Sequence, residues 1–278
     1  MIMTKIPWTQ ETWNPVVGCT KCSPGCLNCY AEKMAGRLAN MGQGKYMGVV
    51  TDRWTSEGVV FNSEWNNKIR CDESALDKPL HWRDPRKIFV CSMSDLFHKD
   101  VPFEFAGKVF ATAIAADWHT LQFLTKRVGR MLEFCQWFNE RTSLNVASFK
   151  HLHLGVSIST HKEADEKIPI LLQIPAAVRF LSIEPLLEGA MIIPLKGIRN
   201  NSKTGLIEEE NINQVIIGAE SKGSHPGRRC ELDWVKNIID QCDAAGVPVF
   251  VKQLHINGKL IKDPKQWPSE FRRQDYPK

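Results

Sequence analysis

The chain has 278 residues, a formal net charge of +5, and 43% hydrophobic and 24% charged residues. That balance excludes a disordered chain and a membrane protein, and the length suits one large domain or two small ones. The opening MIMTKIPWTQETWNP holds no apolar h-region, and no apolar run reaches the roughly 18 residues of a membrane span. Neither a secretory signal nor a membrane association is therefore expected, and the expected compartment is the cytoplasm.

In chain order, TWNPVVG (12–18) reads as a first strand, and the loop after it carries Cys19, Cys22, Cys26 and Cys29. YAEKMAGRLANM (30–41) reads as the first helix, followed by an insertion over 42–86. Six further strand-like runs come next: KIFVCSMSD (87–95), TLQFLTKR (120–127), HLHLGVSIS (151–159), VRFLSIEPL (178–186), QVIIGAES (214–221) and VPVFVKQ (247–253). They are nearly continuous in Val, Ile, Leu and Phe, the pattern of strands buried on both faces of a parallel sheet.

Helical spacing falls between these runs at 102–117, 130–140, 162–174 and 231–246, the last ending on Gly246 as a C-cap. Pro169 predicts a kink or a new turn within 162–174. Residues 188–212 read as an exposed loop or small hairpin, and Asn257-Gly258 marks a hairpin in the tail from 254 to 278.

Strands alternating with helices imply βαβ units. The expected fold is α/β, a full or partial (β/α)8 barrel of parallel strands over a single domain, 1–278. An open doubly wound sheet is the alternative, although the Gly-rich dinucleotide fingerprint is missing from every strand–helix junction.

Reactive groups in such folds sit beyond the C-terminal strand ends. Here those ends carry Ser92, Ser94 and Asp95; Thr125, Lys126 and Arg127; Ser157 and Ser159; Ser182 and Glu184; Glu220 and Ser221; Lys252 and Gln253. The cysteine loop is expected at the same mouth. Cys71, Cys91, Cys135, Cys230 and Cys242 are scattered and read as ordinary thiols.

In a reducing compartment a dense cysteine cluster points to a metal or catalytic site rather than disulfides. The spacing Cys19-x2-Cys22-x3-Cys26-x2-Cys29 is cramped for a four-cysteine zinc site, whose paired ligands are usually well separated. A [4Fe–4S] cluster takes its cysteines from one tight loop. Three thiolates leave one iron open to chelate S-adenosylmethionine, whose cleavage yields a 5′-deoxyadenosyl radical. Cys22-x3-Cys26-x2-Cys29 has the spacing of most radical S-adenosylmethionine enzymes, with Asn28 where an aromatic residue is usual and Tyr30 following.

The ordered segments WNPVVGC, SPGCLNCYAEKMA, CSMSDLFHKDVP, FLTKR, LGVSIS, FLSIEPLL, VIIGAES and FVKQ resemble the phage and bacterial three-cysteine-motif proteins, a family regarded as radical-SAM-like. The resemblance spans roughly residues 7–253. It implies Cys19, Cys26 and Cys29 as ligands, with Cys22 a neighbour or alternative ligand. Ala219 stands where the family more often has a glycine.

A TIM-barrel-like enzyme with a [4Fe–4S] cluster and S-adenosylmethionine is then the expectation, served by an electron donor such as flavodoxin or ferredoxin. Asp95, Glu184 and Glu220 are the candidates for the cosubstrate's ribose hydroxyls or amino group. Lys126, Arg127 and Lys252 are candidates for its carboxylate or a substrate phosphate. Ser92, Ser157 and Gln253 complete the polar contacts.

His98, His151, His153 and His161 show no metal-ligand spacing and read as structural. Basic clusters at HPGRR (225–229) and FRRQ (271–274) either grip nucleic-acid phosphate or only keep the surface solvated; the phage association and the basic balance suggest a nucleic-acid base or nucleotide as substrate. The competing expectations are a zinc-binding, nucleic-acid-interacting protein without catalysis, and a metal-free hydrolase using Glu184 and Glu220.

Overall fold

The computed structural model describes residues 4–56, 58–200, 207–222 and 225–277. The chain forms two compact units, Met1–Cys22 with Cys29–Thr125, and Ser23–Asn28 with Lys126–Lys278. It is mixed α/β, with eight strands in mostly parallel sheet, three in the first unit and five in the second.

The first unit runs β1 (Glu11–Trp13), β2 (Val16–Val17), α1 (Tyr30–Asn40), α2 (Gly44–Met47), β3 (Val50–Thr55), β4 (Gly58–Trp65), β5 (Arg70–Cys71), β6 (Lys87–Val90), α3 (Phe103–Ala115) and β7 (Thr120–Thr125). β1, β6 and β7 pair in parallel in that order. The single strand expected over 12–18 is two pieces. Asn14-Pro15 interrupts it, because proline has no N–H to give a ladder, and β2 pairs antiparallel with β5 instead. Asn14 uses the break: its Oδ1 accepts from Met93 N at 2.9 Å and Ser92 Oγ at 3.2 Å.

The 42–86 insertion is ordered around the β3–β4 hairpin. Val17, Ala31, Ala35, Ala39, Tyr46, Val49, Val50, Trp65 and Met93 form one buried cluster, which joins α1 to the hairpin. The approach is close enough to require glycine at 36. A Cβ there would lie 2.6 Å from the Asn62 carbonyl oxygen and 2.9 Å from Ser63 Cα. Gly36→Ala is expected to cost roughly 1–3 kcal/mol in urea unfolding, outweighing the about 1 kcal/mol gained in helix propensity. Unchanged or increased stability would refute this reading of the interface.

The second unit runs α4 (Val128–Thr142), β8 (Leu152–Ile158), α5 (His161–Gln173), β9 (Val178–Ile183), β10 (Lys196–Asn200), β11 (Ile207–Asn211), β12 (Gln214–Gly218), β13 (Ser221–Lys222), β14 (His225–Pro226), α6 (Leu232–Ala245), β15 (Val249–Ile256) and β16 (Lys259–Ile261). β8, β9, β12 and β15 pair in parallel, and β16 returns antiparallel on β15. Residues of β12 are buried throughout and those of β8 and β9 nearly so. Their continuous apolar sequences therefore reflect cover on both faces.

Neither row of strands closes on itself among the described residues; the first ends at β1 and the second at β16. The parallel α/β class is observed and the closed barrel is not. α5 runs straight through Pro169, without the expected interruption. Pro169 is exposed, and so is Asp165, whose carbonyl loses its helical donor; water can replace that bond.

The 188–212 segment forms the β10–β11 hairpin, with residues 201–206 outside the described residues. The Arg179–Glu210 ion pair, 2.7 Å and buried, ties β9 to this hairpin. Asn257 and Gly258 take φ of 50° and 70° at the β15–β16 turn, the left-handed pair that a two-residue hairpin needs. Among the described residues no helix is long and apolar enough to cross a membrane.

Candidate functional site

In the first unit, Cys19 and Cys29 are half-buried and pack against the Ala31–Ala35–Met93 cluster, whereas Cys22 is exposed. The arm between Cys19 and Cys22 is held by its neighbours. Lys21 pairs with Glu32 of α1 at 3.0 Å, and Glu32 also accepts the Trp65 N–H at 3.0 Å. The hydrogen bond to Glu32 holds the Lys21 ammonium above the usual lysine range, against a smaller opposing effect of burial. Thr20 Oγ1 lies 2.8 Å from Nε2 of His98, which is fully buried.

Ser92 and Asp95 lie beyond β6. The Ser92 carbonyl accepts Tyr30 Oη–H at 2.5 Å. Asp95 is buried and accepts Thr125 Oγ1 at 2.7 and 2.9 Å and the Phe97 N–H at 3.0 Å. Those bonds commit much of its acceptor capacity to its own turn and to the end of β7.

In the second unit, the apex of the cysteine loop is a 3-10 turn, Pro24–Cys26. Ser23 caps it, accepting the Gly25 N–H at 3.1 Å, and proline at the first position suits the turn's start. The apex is seated on the strand ends. A Cβ at Gly25 would stand 2.5 Å from Ser159 Oγ and 3.2 Å from Pro185 Cδ, so only glycine allows this approach. Ser159 Oγ is buried without a hydrogen-bond partner. Asn28 Nδ2 donates to Glu220 Oε2 at 2.9 Å.

At the strand ends of this unit, Lys126 Nζ donates to Ser157 Oγ at 2.8 Å, and Lys252 pairs with Glu184. A Cβ on Gly218 would meet the Glu184 carboxyl carbon at 3.3 Å. Ser182 is buried in β9. Gln253 spends its amide on the Ala219 carbonyl at 2.6 Å, while Ala219 N–H donates back to the Gln253 carbonyl at 3.0 Å. The register shift between Ile217 and Gly218 aims β12 into this exchange.

Glu220 is held by Arg228 through its backbone N–H at 2.8 Å, its Nε at 3.0 Å and its terminal Nη2. Burial works to raise the Glu220 pKa, but the bonds from Arg228 and Asn28 outweigh it and hold the carboxyl below its usual range.

Arg228 belongs to a cluster that the sequence suggests as solvated or phosphate-binding, and its tie to Glu220 is legible only in hindsight. β13 pairs with β14 through Ser221 and Pro226. A hairpin in that register brings 220 opposite 227 and next to 228.

The five cysteines outside the loop are scattered along the sequence. Burial pushes Cys91, Cys135, Cys230 and Cys242 up to about 12, and it also raises Cys71. The four thiols gathered in sequence are those of the loop. Their donor chemistry, soft thiols within eleven residues, fits a zinc ion or an iron–sulfur cluster. Among the described residues no three His, Cys, Asp or Glu side chains are already gathered as a metal site.

These features define a parallel α/β protein whose cysteine-rich loop rests its apex on polar strand ends. The chain belongs to the DUF5131 family, described as a protein of unknown function, whose family model matches residues 3–267. No curated protein and no solved structure matches it.

Proposed function

We propose that Cys19, Cys26 and Cys29 hold a [4Fe–4S] cluster, and that the protein is a radical S-adenosylmethionine enzyme acting on a nucleic-acid base or nucleotide. The observation that carries this reading is the seating of the Cys26 turn against Ser159, Pro185 and Glu220. That seating brings the turn carrying Cys26 to polar side chains at parallel strand ends, where α/β enzymes keep their chemistry, and this supports the reading. The three proposed ligands are half-buried and the spare, Cys22, is exposed. A closed four-thiolate zinc site would need Cys22 inside.

The cluster and its cosubstrate supply, when bound, a one-electron cleavage that yields a hydrogen-abstracting radical. An electron donor of the flavodoxin or ferredoxin type would provide the electron. The chain's own side chains do the rest. Lys126, oriented by Ser157, and Lys252, oriented by Glu184, offer cationic donors for the cosubstrate's carboxylate. Glu184 offers an acceptor for a ribose hydroxyl or the amino group. Ser92 and Asp95 in the first unit, and Glu220 and Gln253 in the second, each hold neighbouring groups of their own unit in place.

Anaerobic reconstitution with iron and sulfide is expected to give a brown protein with about four irons per chain that forms 5′-deoxyadenosine from S-adenosylmethionine. Stoichiometric zinc with no iron would overturn the proposal in favour of the zinc-binding reading.

A further inference from the structure

Glu220 has its carboxylate surrounded by donors of its own chain. Its Oε2 alone receives Asn28 Nδ2 at 2.9 Å, Arg228 N at 2.8 Å and Arg228 Nε at 3.0 Å. The base of the side chain is fixed as well, because the Glu220 carbonyl accepts His255 Nε2 at 2.8 Å and the Gly227 N–H at 2.9 Å. Gly227 leaves room for the carboxylate: a Cβ there would stand 2.5 Å from Oε2. The residue is 5% exposed. An acid bound so fully by its own chain has little acceptor capacity left for a ligand.

We propose that Glu220 is a positioning residue for the cysteine loop, a latch that Arg228 locks and that holds Asn28, two residues beyond Cys26. Gly25 against Ser159 supports one side of the turn by contact, and Asn28 on Glu220 fixes the other by a directional, charge-assisted bond. Together they restrict the orientation of a turn of only three residues, and with it the Cys26 thiol. Asn28 occupies the position where radical S-adenosylmethionine enzymes usually carry an aromatic residue, so this chain uses a polar tether where packing would otherwise serve. The importance of the latch for cofactor loading rests on the proposed function; its existence as a tether does not.

The test is alkylation of Cys26 by iodoacetamide in the reduced, metal-free full-length chain, read by peptide mass spectrometry, with buried Cys242 as internal reference. Asn28→Ala and Glu220→Gln are each expected to speed Cys26 alkylation by about tenfold, the effect of losing one charge-assisted bond, with Cys242 unchanged. Asn28→Asp sets two carboxylates face to face and is expected to speed it further. Adding Glu220→Gln to Asn28→Asp restores a donor–acceptor pair with reversed polarity, and the rate is expected to return to within about twofold of wild type.

Equal rates in wild type and Asn28→Ala would overturn the latch, as would a double variant no slower than Asn28→Asp. Should Glu220→Gln fail to fold, the Asn28→Ala comparison still decides. Altered Cys26 rates in a chain that takes up no iron would keep the latch and remove the cluster. Normal iron uptake with unaltered rates would do the reverse.

Discussion

Cys26→Ala is expected to lower the iron retained after anaerobic reconstitution by at least about tenfold, since even the loss of a supporting residue costs a metal site that much. Cys22→Ala is expected to retain near wild-type iron. The contrast follows from placement. Cys26 closes a capped turn seated on the strand ends of the second unit, whereas Cys22 is exposed. Cys19 and Cys29 both pack against the buried cluster of the first unit, and either alanine variant is expected to behave like Cys26→Ala. Iron and acid-labile sulfide assays with the visible spectrum give the answer. Equal losses in Cys22→Ala and Cys26→Ala would sink the three-ligand assignment, and zinc retained only when all four cysteines are present would replace it.

Alkaline solution is expected to unfold the protein well before its lysines have all lost charge. Burial raises four thiols to about 12 in the folded chain, whereas unfolded thiols ionise near about 8.5. Below that value both states hold the proton and pH has no effect through these groups. Between roughly 8.5 and 12 the unfolded state releases protons that the folded state keeps, so stability falls as pH rises. Each thiol contributes about 1.4 kcal/mol per pH unit within the window, hence roughly 5–6 kcal/mol per unit for four. Against a typical total of about 5–15 kcal/mol, most of the stability is gone by about pH 10.5. Tyr46 and Tyr276, also raised by burial, act in the same direction at higher pH. Urea midpoints measured from pH 8 to 10.5 should fall steeply, and Cys135→Ala should flatten the slope by about a quarter. A midpoint constant over that range would show that the thiols ionise freely in the folded protein.

The strands were legible because burial on two faces leaves unbroken apolar runs, as in QVIIG and VRFLSI. Their ends were less so. The predicted runs extend into Ser92, Asp95 and Glu184, which lie past the last ladder residue, because polarity alone does not show where pairing stops. Pro169 misleads because its cost depends on whether the freed carbonyl faces water, a property of the packed helix. Asn14-Pro15 reads as a breaker, yet the residues on either side of it read as one strand. Residue type marks Asp95 and Gln253 as polar and available; the structure shows them engaged with the Phe97 N–H and the Ala219 carbonyl. The Glu220–Arg228 tie depends on the register of the short β13–β14 pair, which no spacing rule specifies.

The β15–β16 hairpin has a consequence for how this protein meets other copies of itself. β15 is long and apolar, and left open it would offer its backbone to any passing strand. β16 covers part of it with only three residues, begins at exposed Lys259, and is followed by Lys262, Asp263 and Pro264. A short, charged border ending in a residue with no N–H is a poor template for further pairing. The outer rim of this row is thereby protected against fibre-like growth, and self-association at that rim would have to proceed through side chains.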